Sequence, residues 1–368
     1  MKLNLIYLAL AILLLGCSES YDGELLFISP EAEDYFEYPY FLFIPNQVSQ
    51  TNKNFIIVEP NNSGFADDDL QKHVDKAKNT ASNDYYLGNY MAKSLSCPLI
   101  VPVFPREESK WRIYTHALDR DVMLQKGNPL ERLDRQLIEI VRNAQKILLE
   151  KNIQTDEQFL LTGFSASGTF ANRFTVMHPD QVLAVAAGGL NGLLMLPADS
   201  LQHKLLPYPI GTGDLKEISG REFQQRTFQN TPQYYFMGAL DDNDALPYDD
   251  AFDPSEREQI SNLLGEQMLP ERWNKCQQIY DSLEVNATIK TYPEVGHEHP
   301  EEIKLEILQF FRASIQAKHR ITDAAGRQWP HTRPGQSPLQ HRCFCSSSSL
   351  GVNLPHRPSH VQNPRPVS

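Results

Sequence analysis

Residues 159–170, FLLTGFSASGTF, decide how the rest of the chain is read. A strand-forming run ends at Gly163, Ser165 stands two places later, and Phe170, Phe174 and Met177 then recur on one face until Pro179 stops the pattern. This describes a strand that turns sharply into a helix with a serine at the apex. Such an elbow needs small residues two places before and two after the serine, because the strand and helix backbones come close there. Gly163 and Ser167 hold those places, and Gly168 follows. Serine at 167, where glycine is usual, is a small departure. With Ser167 as the apex the flanks would be Ser165 and Thr169, a worse steric fit. A serine hydroxyl is a weak nucleophile at neutral pH, so it needs a histidine base, an acid to orient that base, and donors for an oxyanion.

Downstream, YYFMGALDDNDALP reads as a strand running into a loop, with Asp241 three places after Gly238 and with Asp242 and Asp244 close by. TIKTYPEVGHEHPEE is another strand running into a loop, which carries Gly296 and His297 before a final helix over 301–317. Serine, aspartate and histidine thus follow in chain order, each at the carboxyl end of a strand. Over roughly residues 23–318 the chain resembles the α/β-hydrolase superfamily. Its GFSASG and VGH resemble the esterase branch that contains polyhydroxybutyrate depolymerase-like and feruloyl-esterase-like proteins. The resemblance implies Ser165 as nucleophile, His297 as base and Asp241 as acid. The family spacing of glycine, two residues and aspartate selects Asp241, with Asp244 as the alternative. It also implies an oxyanion hole made by the amide of Ala166 and by one from the loop PNNSG, Asn61 or Asn62. Many relatives carry His-Gly there, and this chain does not.

Upstream, ELLFIS, YPYFLFIP and NFIIVEP read as strands, residues 67–96 as mostly helix, and PLIVPVFP as a further strand. Residues 106–128 show no period and read as a loop whose Trp111 and Tyr114 either line a cleft or pack. Over 129–152, Leu130, Leu133, Leu137, Ile140, Val141, Ala144 and Leu148 recur at threes and fours, an amphipathic helix. VLAVAAGG is another apolar strand. Alternating strands and helices predict an α/β fold, a mostly parallel central sheet with helices on both faces. The domain spans 23–318, with an insertion at about 190–231. Residues 319–368 are rich in Pro, Ser, Arg and His, oppose the body in charge, and are expected to be a disordered tail, one that reads as foreign to the domain.

The chain begins with one lysine and an apolar run over 3–15, short of the roughly 20 residues a spanning helix needs. This is the pattern of a secretory signal. LLGC resembles the lipobox of bacterial lipoproteins, which implies removal of residues 1–16, lipidation of Cys17 by acyl chains such as palmitate, and a short linker over 17–22. Ser18 after the cysteine implies the outer membrane of the cell envelope. The alternative is an ordinary signal peptide or an uncleaved anchor.

The net charge of -12, from 34 Lys+Arg against 46 Asp+Glu, argues against a nucleic-acid partner. Cys97, Cys276, Cys343 and Cys345 do not form a disulfide framework, and the first two are expected to be buried thiols. HEHPEE lacks the His-Glu-x-x-His spacing of a zinc site, and DDNDALPYDD lacks the glycine turn and terminal glutamate of a calcium loop. No metal or cofactor is expected. His73, His178 and His203 have no companion motif and read as surface or satisfied helix residues. The expectation is an exported, lipid-anchored serine hydrolase that cleaves small-molecule or polymeric carboxylic esters through an acyl-enzyme. A serine peptidase of the same fold and a non-catalytic binding lipoprotein are the rivals. Nothing in the sequence speaks to oligomeric state.

Overall fold

The computed structural model describes residues 22–326. The signal segment, Cys17 and residues 327–368 lie outside the described residues.

The strands are β1 (Gly23–Ile28), β2 (Tyr40–Pro45), β3 (Ile57–Val58), β4 (Leu99–Pro102), β5 (Phe159–Phe164), β6 (Val182–Gly188), β7 (Ser200–Leu201), β8 (Lys204–Leu205), β9 (Gln233–Gly238) and β10 (Ala287–Tyr292). The helices are α1 (Leu70–Ser82), α2 (Leu87–Leu95), α3 (Arg120–Met123), α4 (Leu133–Glu150), α5 (Ala166–Met177), α6 (Leu215–Ser219), α7 (Gln225–Asn230), α8 (Pro254–Leu264), α9 (Trp273–Ser282) and α10 (Glu301–Gly326). Eight strands form one sheet in the order β1-β2-β4-β3-β5-β6-β9-β10. β2 runs antiparallel to both β1 and β4, and every pairing from β4 to β10 is parallel. β7 and β8 form a separate small hairpin.

The inner strands are apolar throughout because both sheet faces are covered. Alternate residues feed two cores. Tyr40, Leu42, Phe159 and Leu161 join the core under α4, α5 and α9, while Phe41, Phe43 and Leu160 join the one under α1, α2 and α10. Cys97 and Cys276 are buried free thiols.

The segment at 190–231 lies between β6 and β9, and within it Leu194, Leu196, Leu206, Tyr208, Ile210 and Phe228 are fully buried and complete one core. Two helices depart from the sequence reading. Helix α8 was not foreseen, although its start is signalled locally. Asp253 and Glu256 form a reciprocal capping box, with Pro254 in the first turn. Helix α10 runs to Gly326, past the tail boundary expected after Lys318. The chain from Ala317 to Ala325 holds neither glycine nor proline, so nothing in its backbone chemistry stops the helix there.

Candidate active site

β5 lies near the middle of the sheet and ends in the elbow. Ser165 sits at φ 61° and ψ −128°, a strained backbone for a residue with a side chain. Two main-chain bonds hold it: its amide donates to Gly188 O at 2.9 Å, and its carbonyl accepts from Thr169 N at 3.0 Å. A Cβ on Gly163 would lie 2.4 Å from Ser167 O, and one on Gly168 would lie 2.6 Å from Gly188 O. The close approaches therefore fall at 163 and 168, which is why residue 167 need not be glycine. The Ser167 hydroxyl is buried and engaged in the turn, donating to Phe164 O at 2.9 Å and accepting from Phe164 N at 3.0 Å. Ser165 remains half-buried.

Asp241 and His297 come together because the loops after β9 and β10 touch. Ala239 N donates to Tyr292 O at 2.8 Å and Leu240 N to Val295 O at 2.9 Å. Gly238 is where they cross, for a Cβ there would lie 2.2 Å from Val295 O. Asp241 Oδ2 then meets His297 Nδ1 at 2.9 Å, with the Asp241 side chain 1% exposed and that of His297 27%. Asp241 Oδ1 accepts from Asn243 N at 3.0 Å. Asp242 points to solvent. Asp244 is committed elsewhere, to an ion pair of 2.5 Å with the buried Arg272 and to a bond from Leu246 N at 2.9 Å.

His297 Nε2 is met by Asn243 Nδ2 at 3.2 Å, and the same amide donates to Asn191 Oδ1 at 3.2 Å. A carboxylate only accepts and an Nδ2 only donates. The ring is therefore protonated at Nδ1 and presents a lone pair at Nε2, the tautomer of a general base. Among the described residues Ser165 Oγ forms no hydrogen bond, to His297 or to any other group. The ring nonetheless lies over the residues that flank the elbow. It stands 4.7 Å from the Phe164 ring, and its Cε1 is 2.9 Å from the place of a Cβ on Gly189.

For the oxyanion, Ala166 opens α5 and so has an amide without an acceptor inside the helix. The loop after β3 carries the other candidates. The Asn61 side chain is buried and clamps one peptide unit, accepting from Phe104 N at 3.0 Å and donating to Phe104 O at 2.8 Å. Asn62 Oδ1 accepts from Gly64 N at 3.1 Å. The backbone amides of Asn61 and Asn62 bond to no group among the described residues, so either can serve as donor.

Two histidines that the sequence reading left without a role brace this loop. Ser63 Oγ lies 2.6 Å from His73 Nδ1, and Ser63 N donates to His116 Nδ1 at 3.5 Å. His116 Nε2 meets Phe104 O at 2.8 Å. Burial holds the His116 imidazole neutral, down to about 3. No local signal marks these partners, which lie 12 and 53 residues from His116 in sequence. His178 is likewise satisfied, with Nε2 at 2.7 Å from Asp134 Oδ2 and Nδ1 at 2.7 Å from an Arg221 nitrogen. His203 is exposed. Trp111 is 45% exposed, whereas Tyr114 is inside, its ring under the Arg106 guanidinium at 3.8 Å.

A cavity of about 170 Å³ adjoins the elbow and is lined in part by Asn62, Phe164 and Ser167. A larger one of about 460 Å³ is lined by Asp119, Asp250, Phe252 and Glu256 among others, and neither cavity has Ser165, Asp241 or His297 in its lining.

No family model and no curated protein matches the chain. Among solved structures, poly(aspartic acid) hydrolase-1 from Sphingomonas sp. KT-1 aligns at 13% identity and TM-score 0.49, over 79% of this chain and 97% of its own. An S-formylglutathione hydrolase from Agrobacterium tumefaciens aligns at 9% and 0.47, over 81% and 97%. The feruloyl esterase module from Clostridium thermocellum aligns at 10% and 0.40, over 75% and 83%. Likenesses this distant bear on neither activity nor substrate. By its own sheet order, with the serine elbow after β5 and the loops after β9 and β10 brought together, the chain has the α/β-hydrolase fold.

Proposed function

We propose that this protein is a serine hydrolase of carboxylic esters that works through an acyl-enzyme. Ser165 attacks the ester carbonyl while His297 Nε2 takes the hydroxyl proton, exchanging Asn243 for the serine as its partner. Asp241 holds Nδ1–H and stabilises the imidazolium that forms. The amide of Ala166 and one from Asn61 or Asn62 receive the developing oxyanion. Collapse of the tetrahedral intermediate expels the alcohol, which takes the proton from His297. Water then repeats the cycle on the acyl-enzyme and frees the acid. The observation that supports this most is the Asp241–His297 bond in the base tautomer, beside a serine held in a strained elbow.

Labelling with a fluorophosphonate followed by peptide mapping tests it. The label is expected on Ser165 in the wild type and in Ser167→Ala, and is expected to vanish in Ser165→Ala. Loss of the nucleophile in a studied triad costs about 10⁶ in turnover. Ester hydrolysis undiminished in Ser165→Ala would refute the reading. The same proposal extends to location: LLGC supports export and a lipid anchor on Cys17 in the cell envelope. A Cys17→Ser variant is expected to leave the membrane fraction or to stay unprocessed, and unchanged fractionation and processing would count against the anchor.

A further inference from the structure

We propose that the cavity beside the elbow receives a carboxylate carried on one arm of the ester, so that the preferred substrates are short esters with one free acid group. The inference rests on the hydrolase reading above and adds the substrate class.

Placement comes first. The cavity shares Asn62, Ser63 and Gly64 with the loop that supplies the candidate oxyanion donor, and Phe164 and Ser167 with the elbow. The Phe164 ring, part of its wall, lies 4.7 Å from the His297 ring and 4.8 Å from the His299 ring. An ester whose carbonyl is at Ser165 therefore has one arm within reach of it. At about 170 Å³ the cavity holds a short arm, equal to roughly five or six waters at about 30 Å³ each.

The lining then selects the chemistry. Lys76 Nζ donates to Tyr86 Oη at 3.0 Å and lies 5.4 Å from the centre of that ring. Among the described residues no carboxylate stands within ion-pair distance of it. Tyr86 Oη also accepts from Asn79 Nδ2 at 3.2 Å, so its own proton has no acceptor among the described residues. An ammonium and a hydroxyl donor thus sit side by side without an anion. The other titratable groups of the wall offset this charge only in part. Glu59 is buried, its Oε2 accepts from Gly88 N at 2.6 Å, and burial pushes its carboxyl up to about 7. Burial also keeps His299 neutral, down to about 4. In a chain of net charge -12, Lys76 is the one lysine or arginine among the residues that line the cavity. A carboxylate on the substrate would take a charge-assisted bond from Lys76 and a second from Tyr86, and no neutral arm can do so.

Paired substrates test this. The p-nitrophenyl monoester of glutaric acid, acidic on the acyl arm, is compared with a neutral p-nitrophenyl ester of similar length. Acetoxypropanoate, acidic on the alcohol arm, is compared with its methyl ester. In at least one pair the wild type is expected to favour the acidic member about tenfold or more in kcat/KM, the loss typical when a bond to a charged group is removed. Lys76→Met is expected to bring that ratio toward one, and Lys76→Arg to keep part of it. Turnover of the neutral esters with no preference for acid in either pair would overturn the inference and leave the hydrolase reading standing, as would a preference unchanged in Lys76→Met. If no ester is turned over, the hydrolase reading fails, and calorimetric titration of Ser165→Ala with monomethyl glutarate judges the cavity alone. Heat that disappears on adding Lys76→Met supports it, and no heat at millimolar ligand overturns it.

Discussion

At the scale of the residue, three aspartates within four positions have separate duties. Asp241 accepts from the imidazole, Asp242 faces water, and Asp244 neutralises an arginine that is 1% exposed. Replacing Asp241 by asparagine leaves an amide that can present a donor to Nδ1 and so favour the wrong tautomer, which in a studied triad lowers turnover about 10⁴-fold. Asp241→Asn is therefore expected to hydrolyse esters poorly while melting near the wild-type temperature. Asp244→Asn should do the reverse, because it removes the charge paired with the buried Arg272, and losing one partner of a buried ion pair costs about 3–5 kcal/mol. Assays of both variants on one ester, each with a thermal melt, check this. An active Asp241→Asn beside an inactive but stable Asp244→Asn would reverse the assignment.

At the scale of the element, the site is made by strand ends and by what lets them approach. The elbow works because β5 delivers its last residues against β6, while α5 starts at once and aims its free amide at the same spot. Asp241 and His297 meet only if the loop after β9 can pass under the one after β10, and Gly238 leaves the space for it. A methyl group there would overlap Val295 O and Gly296 O, both backbone atoms with no side-chain freedom to yield. Gly238→Ala is expected to lower both the melting temperature and kcat, with kcat falling by more than the loss of folded protein explains, since the loops would part and stretch the Asp241–His297 bond. Circular dichroism and active-site titration separate the two effects. A variant that loses stability alone would show that the crossing shapes the fold and not the triad.

At the scale of the whole molecule, several buried groups make stability depend on pH in opposing senses. Burial raises Glu59, Asp119 and Glu256 to about 7, and lowers His116 to about 3 and His299 to about 4. For a raised carboxyl, the unfolded chain ionises first, so stability is complete below its ordinary value and is lost as pH rises toward 7. For a lowered histidine, the unfolded chain takes up its proton first, so stability is complete above 6.5 and is lost as pH falls toward 4 or 3. Glu59 offers the cleanest test, because glutamine keeps an oxygen for Gly88 N and cannot ionise. Relative to the wild type, Glu59→Gln is expected to gain melting temperature as pH rises from its ordinary value of 4.5 to above 7, with no gain below that range. An offset equal at acid and at neutral pH would show that ionisation is not the cause.

Local chemistry determined much of this protein from the sequence alone. The strand run, the small residues around Ser165, the Gly238 to Asp241 spacing and the Gly296-His297 pair are short-range patterns, and each landed at the end of a sheet strand. The helix at 129–152 was legible for the same reason, because a period of three and four residues is a local property. Other features depended on contacts between distant positions. The crossing of Gly238 under Val295, the bracing of the loop at 61–64 by His73 and His116, the place of Asn243 on the His297 ring and the bond between Lys76 and Tyr86 all arise when the fold brings separate segments together. No residue in those pairs carries a signal of its partner, since a contact between positions ten or more residues apart leaves no period in the sequence. Tertiary structure also decided that the segment at 190–231 is core, because its apolar residues are scattered along the chain and gather only when it folds back onto α5 and α9.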